Sequence, residues 1–378
     1  MKIPFVYGKL ALFSDFTDRE TELERLVNNF KSGVNTMLIS PRRWGKSSLV
    51  VKAADRVIAK NKKVKVCFID VFEVRTEAQF YQVLAEAVMK VTTSRIDEIG
   101  GYLQRFMSKL LPKISFSPDN MQEISLAFDW KDLQKHPSEV LDLAEKMAIE
   151  KKIEIVLCFD EFQNIAAFEH PLAFQKKLRS HWQKHQKVSY CLYGSKRHMM
   201  MDIFTSPSMP FYKFGDVFFL EKIKEDKWVP FIQSKFLESK KKIHEKDARL
   251  IAQLVENHPY YVQQLAQLTW LRTINTCKSP SIHDAHDTLM LQLSLLFQNI
   301  TDSLSIMQVH FLKALVNGET RLSSKKILDT YDLGSSANIS QLKKALANRE
   351  IIDIVTNEVN FTDPVYKAWL KKYYFKIK

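Results

Sequence analysis

Short apolar runs alternate with stretches of helical periodicity through the first 220 or so residues. Five runs read as buried strands: Thr36–Ile39, Val64–Ile69 ending at Asp70, Ile153–Phe159, Val188–Tyr193 and Asp216–Leu220. Leu23, Leu26 and Val27 recur at helical spacing after Thr17-Asp18-Arg19-Glu20, which has the spacing of a capping box. Helices are expected from Ser47 through Val57 and over Phe174–Lys184. The region from about residue 76 to 150 reads as mostly helical, broken near its middle by Pro112 and Pro118. Apolar strands separated by helices predict an α/β domain on a parallel sheet.

Beyond about residue 222 the strand pattern stops. Helical patterns follow one another over Asp226–Glu238, Glu245–Glu256, Pro259–Thr276 and His283–Phe297, with Lys240-Lys241-Lys242 as a solvated connection. From about residue 301 come two or three short helices, a helix over Ser336–Arg349, and two apolar segments, Ile351–Val355 and Val359–Phe361. These flank the polar turn Thr356-Asn357-Glu358, and a hairpin after such helices predicts a winged helix. The expected organisation is an α/β core over 1–221, an all-helical segment over 222–300 and a winged-helix domain over 301–378.

Composition changes this picture little. With 378 residues, 46% hydrophobic and 26% charged, the chain is globular and long enough for two or three domains, which excludes disorder and a coiled-coil rod. Four cysteines without a Cys-x-x-Cys pair, three of them in apolar strand runs, read as core thiols in a reducing compartment. Lys9 and Asp15 interrupt the N-terminal apolar residues, and the apolar runs are far too short to span a bilayer. A cytoplasmic protein with no membrane partner is expected.

The stretch that carries chemistry is Ser40-Pro41-Arg42-Arg43-Trp44-Gly45-Lys46-Ser47-Ser48, between an apolar strand and a helix. It meets the phosphate-binding pattern G-x-x-x-x-G-K-[ST] everywhere except at Ser40, which replaces the first glycine. Gly45 lets the backbone approach phosphates, and the amides around Trp44–Ser48 point into an anion at the helix N-terminus. Lys46 supplies a point charge for the β and γ phosphates of ATP, and Ser47 offers its hydroxyl to Mg²⁺. A serine at the first position is tolerated if its φ is not positive.

A partner carboxylate follows the strand Ile153–Phe159. Asp160 is the candidate for the Mg²⁺ shell and Glu161 for activating the attacking water. After the strand Val188–Tyr193, Gly194-Ser195-Lys196-Arg197 provides Ser195 as a candidate γ-phosphate sensor, although a turn and helix cap would use the same residues. Arg42, Arg43, Arg179 and Arg197 are all candidates for an arginine acting in trans, and spacing distinguishes none of them. Trp44 has room to pack on the sheet edge or on a lid.

These residues resemble the archaeal-type P-loop ATPases of the AAA+/STAND assemblage. The resemblance lies in Pro4-Phe5-Val6-Tyr7-Gly8, Phe16-Thr17-Asp18-Arg19-Glu20, the Ser40–Ser48 loop, Phe159-Asp160-Glu161-Phe162-Gln163, Gly194-Ser195, Asn257-His258-Pro259-Tyr260-Tyr261 and the ending Phe361-Thr362-Asp363-Pro364 with Trp369-Leu370. It implies a P-loop NTPase core followed by a helical lid and a winged helix, using ATP and Mg²⁺. It also implies that Phe16 and Arg19 lie beside the adenine and that His258 and Pro259 belong to the lid. Read locally, the last two are an ordinary helix start with proline in the first turn.

A winged helix and a net charge of +13 invite duplex DNA as partner. Residues 301–378 hold 12 Lys and Arg against 8 Asp and Glu, a surplus of 4, so the positive charge is spread along the chain rather than focused on this module. That weakens the DNA reading and favours a protein partner for the winged helix over duplex DNA. The leading expectation is an ATP-hydrolysing conformational switch. Its alternatives are a nucleotide-dependent DNA-binding protein of the origin-recognition type and a nucleotide-gated protein-binding module with little turnover.

Overall fold

A computed structural model describes residues 3–10, 16–93, 135–355 and 358–377; between 94 and 134 it describes 101–102, 105–107, 109, 113–117, 120–127 and 132. Pro112, Pro118, Thr356 and Asn357 lie outside the described residues. The chain divides into two compact units, Arg19–Glu221, and Met1–Asp18 with Lys222–Lys378.

In the first unit, β1 (Thr36–Ile39), β2 (Val64–Asp70), β5 (Glu154–Asp160), β6 (Val188–Gly194) and β7 (Asp216–Phe219) form one sheet of order β2-β5-β6-β1-β7. Every pairing is parallel. β1 and β6 are buried along their whole length, so both faces must be covered, which explains their unbroken apolar runs. The helices here are α1 (Glu20–Lys31), α2 (Lys46–Lys60), α3 (Glu77–Thr92), α4 (Pro137–Leu141), α5 (Leu143–Lys151), α6 (Pro171–Trp182) and α7 (Arg197–Thr205). The core is strongly aromatic: Trp182 stacks on Tyr190 at 4.2 Å and on Phe159 at 5.4 Å, and Phe80 stacks on Phe159 at 5.4 Å.

Two expectations are corrected. The region read as mostly helical contains an antiparallel hairpin of β3 (Lys113–Ser117) and β4 (Asn120–Ala127). The sequence of β3 has period two, with Ile114 and Phe116 alternating with Lys113, Ser115 and Ser117, and prolines beside it suit a strand end as well as a helix break. The capping box at Thr17 is not formed. α1 starts at Glu20 after Arg19, which is left-handed at φ 75° and makes no side-chain cap.

In the second unit, α8 (Glu225–Glu238), α9 (Glu245–Leu254), α10 (Pro259–Arg272), α11 (Ser279–Gln292) and α12 (Ser294–Asp302) precede α13 (Ile306–Val316), α14 (Lys325–Tyr331) and α15 (Ser336–Asn348). The antiparallel strands β8 (Ile352–Val355) and β9 (Glu358–Phe361) and helix α16 (Pro364–Trp369) follow, giving a winged-helix module. One apolar core runs from Ile223 to Leu370, and Phe5 inserts into it edge-on to Phe236 at 5.8 Å. Val6 N donates to Gln263 Oε1 at 3.1 Å. Among the described residues no helix is long and apolar enough to cross a membrane.

Candidate nucleotide site

Strand order creates the site. β1 lies between β6 and β7, while β5 is the next strand beyond β6, so the C-terminal ends of β1, β5 and β6 converge. Ligands of open parallel sheets bind where connections diverge in this way.

The loop after β1 turns twice through left-handed backbone, at Arg43 (φ 63°) and Gly45 (φ 91°). Ser40 is not among the left-handed residues, so its side chain carries no torsional penalty. Ser40 is buried, and its Oγ donates to the Pro41 carbonyl at 3.0 Å. Gly45 is the N-cap of α2, and a Cβ there would meet nothing within 4 Å; torsion rather than space requires the glycine. The helix start leaves its first amides outside the intrahelical ladder, where an anion is favoured. Arg19 reaches this loop, with Nη2 donating to the Trp44 carbonyl at 3.4 Å.

Two contacts join the loop to the end of β5. Ser47 Oγ donates to Asp160 Oδ2 at 2.8 Å, and Lys46 Nζ donates to Glu161 Oε1 at 3.1 Å and lies 4.0 Å from Asp160 Oδ1. Glu161 is left-handed at φ 51°, which turns its side chain back across the strand ends. Its Oε2 accepts from Ser195 Oγ at 2.8 Å and from Gln163 Nε2 at 2.5 Å. Ser195 Oγ in turn accepts from Arg42 Nε at 3.4 Å.

The two neighbouring acids are driven apart electrostatically. Burial raises the Asp160 carboxyl above its ordinary value, and Lys46 and the Ser47 hydrogen bond only partly oppose it. Burial also acts to raise Glu161, but Lys46 and the donors Gln163 and Ser195 outweigh it and hold that carboxyl below its ordinary value. Glu161 thus stays an anion beside a cation, as a group that accepts a proton from water must be.

Ser47 and Asp160 are a hard-oxygen pair that suits Mg²⁺, which takes one or two protein oxygens and completes its shell with phosphate and water. Among the described residues no group of three or more His, Cys, Asp or Glu is arranged to hold a metal alone.

The structure therefore brings together Arg42, Lys46, Ser47, Asp160, Glu161 and Ser195, with Arg19 reaching the same loop from the start of α1. Phe16, His258 and Pro259 belong to the other unit. The arginines separate as well: Arg179 lies over the Phe214 ring at 4.7 Å and Arg197 over the Phe219 ring at 5.0 Å, whereas Arg42 reaches Ser195. Sequence reasoning quoted Gln163 and Gly194 only as parts of motifs and gave them no task. The signal that could have found them is a carboxamide two residues beyond an acid at a tight strand exit.

Comparison with known proteins agrees with this geometry. A family model described as an ATPase domain predominantly from Archaea matches residues 16–265. Among solved structures, a Walker-type ATPase of Pyrococcus abyssi is similar over 97% of this chain and 99% of its own, at 17% identity and TM-score 0.68. The Aeropyrum pernix ORC2 protein in its ADP form covers 96% of this chain and 93% of its own, at 12% identity and TM-score 0.52. The Aeropyrum pernix ORC1 protein in complex with DNA covers 95% and 94%, at 11% and 0.50. At these identities the likeness is one of fold. No curated protein matches the chain. With the phosphate-loop residues beside the acids of β5, and a family match across about two thirds of the chain, the chain belongs to the family of P-loop ATPase domains found predominantly in Archaea.

Proposed function

We propose that this protein binds Mg²⁺–ATP on Lys46, Ser47 and Asp160, hydrolyses it with Glu161, and lets the nucleotide state govern duplex DNA binding by its winged helix. The observation that carries the catalytic half is the double contact of the loop with β5, Ser47 to Asp160 and Lys46 to Glu161. In this reading the Ser40–Ser48 backbone wraps the phosphates and Lys46 turns from Glu161 to the β and γ phosphates. Ser47 and Asp160 would hold Mg²⁺, which neutralises charge on the phosphate oxygens. Glu161 polarises the attacking water, and Ser195 senses the γ phosphate. Phe16, Arg19, His258 and Pro259 enter as nucleotide contacts on the strength of the resemblance, as does the STAND-type switching of the chain, while its division near residue 300 rests on the change of sequence pattern there. A reducing cytoplasm would keep the four buried cysteines as thiols.

The DNA half is supported by the likeness to ORC1 of Aeropyrum pernix, whose structure is of a complex with DNA, and by Lys344, exposed on α15, with Lys343 half-buried beside it. Fluorescence anisotropy of a labelled duplex, titrated with ATP, with ADP and without nucleotide at several salt concentrations, tests it. Affinity should differ between the ATP and ADP states, and replacing Lys343 and Lys344 by Ala should lower the salt slope by about one per lysine. ATP hydrolysis with no duplex binding in any state would contradict the DNA half and leave a protein as the winged helix's partner.

A further inference from the structure

The Glu161 carboxylate is held at both oxygens, and its holders differ in kind. Oε1 is held by Lys46, which the proposed function above requires to leave for the phosphates; Oε2 is held by Ser195, whose hydroxyl that reading also turns to the γ phosphate, and by Gln163, which has no phosphate to reach. Gln163 is 1% exposed, on the first turn of the short 3₁₀ helix Phe162–Ala167 that follows β5. Its Nε2 donates to Glu161, while its Oε1 is buried with no hydrogen-bond partner among the described residues. Turning the amide over would set that oxygen against the carboxylate. A buried acceptor without a partner is costly and calls for a reason.

The reason lies in the facing strand. Gly194 ends β6, and a Cβ built there would stand 1.8 Å from Gln163 Oε1 and 2.9 Å from Met200 Sδ. Gly194 has no positive φ, so close approach alone explains its glycine. The amide is thus seated in a slot made by a missing side chain, with its nitrogen aimed at Glu161.

We propose that Gln163, seated over Gly194, is the positioning residue that keeps Glu161 Oε2 anchored when Lys46 departs, so that Oε1 alone is freed toward the attacking water. The inference rests on the reading of Glu161 as the water-activating group. Besides Gln163, the groups facing that carboxylate are Lys46 of α2, Ser195 after β6 with Arg42 behind it, and the adjacent Asp160.

The test compares the parent with Gln163→Leu, which keeps volume and loses the donor, and Gln163→Asn, which shortens the arm. It follows kcat, ATP affinity by calorimetry, and thermal melting. Both variants should bind ATP within about twofold of the parent and lose at least about tenfold in kcat. Gly194→Ala, which pushes the amide out of its slot, should show the same split, with ATP affinity kept and kcat lost. In a folded Gln163 variant, kcat within about twofold of the parent, or a loss of ATP affinity as large as the loss in kcat, overturns the proposal. Parental turnover by Glu161→Gln overturns the reading beneath it, a result visible without any Gln163 variant.

Discussion

Glu161→Gln should separate binding from chemistry, and the separation has a sign. Lys46 Nζ lies 3.1 Å from Glu161 Oε1, with side-chain exposures of 9% and 16%, so the pair is largely sheltered from water. Lys46 must give up this partner to reach phosphate. A hydrogen bond to a charged group contributes about 1.5–3 kcal/mol, and a neutral carboxamide oxygen in its place retains roughly half. The substitution therefore removes about 0.8–1.5 kcal/mol of competition with ATP, which corresponds to about 4- to 13-fold tighter binding. It also removes the group that accepts the proton, so turnover should fall by about 10² or more if chemistry limits the rate. Calorimetric titration with Mg²⁺–ATP and a phosphate-release assay on the same preparation read both quantities. Weaker ATP binding, or hydrolysis at the parental rate, would refute the reasoning.

Asp160→Asn should weaken ATP binding in the presence of Mg²⁺ far more than in its absence, as equilibrium titrations with and without chelator would report. Trp182→Ala removes a fully buried ring stacked on Tyr190 and Phe159 and should cost about 3–5 kcal/mol in urea unfolding. Asp142 accepts from His181 Nδ1 at 2.7 Å and His185 Nε2 at 3.2 Å; burial acts to raise its carboxyl, but the two histidines hold it well below the ordinary carboxylate range. A depressed folded-state value means stability that is present above the unfolded value of about 4 and lost as pH falls toward the folded one. The stability gap between the parent and Asp142→Asn, measured by urea unfolding, should therefore be full near pH 5 to 6 and shrink below about pH 4.

The parallel sheet was legible because its strands are buried on both faces: Thr36–Ile39 and Val188–Gly194 present no alternation that a helix or loop could imitate. Lys113–Ser117 and Asn120–Ala127 were not, since period-two segments between prolines were absorbed into a long helical reading. The capping-box spacing at Thr17 misled because Arg19 commits its side chain to Glu22 and to the Trp44 carbonyl, and its left-handed backbone starts the helix instead. In the site, each motif could be read locally, but the pairings could not. Ser47 and Asp160 are 113 residues apart, and only the strand order β5-β6-β1 brings them to hydrogen-bond distance. Gln163 was invisible for a further reason: its task depends on the left-handed turn at Glu161 and on a space opposite that exists only because residue 194 lacks a Cβ.

The most direct test of the account is phosphate release by the purified protein in Mg²⁺ and ATP, with Lys46→Ala measured beside it. The account predicts turnover that saturates with ATP in the parent and the loss of both ATP binding and phosphate release in the variant. A Lys46→Ala protein that binds ATP as tightly as the parent, or releases phosphate at the same rate, would contradict it.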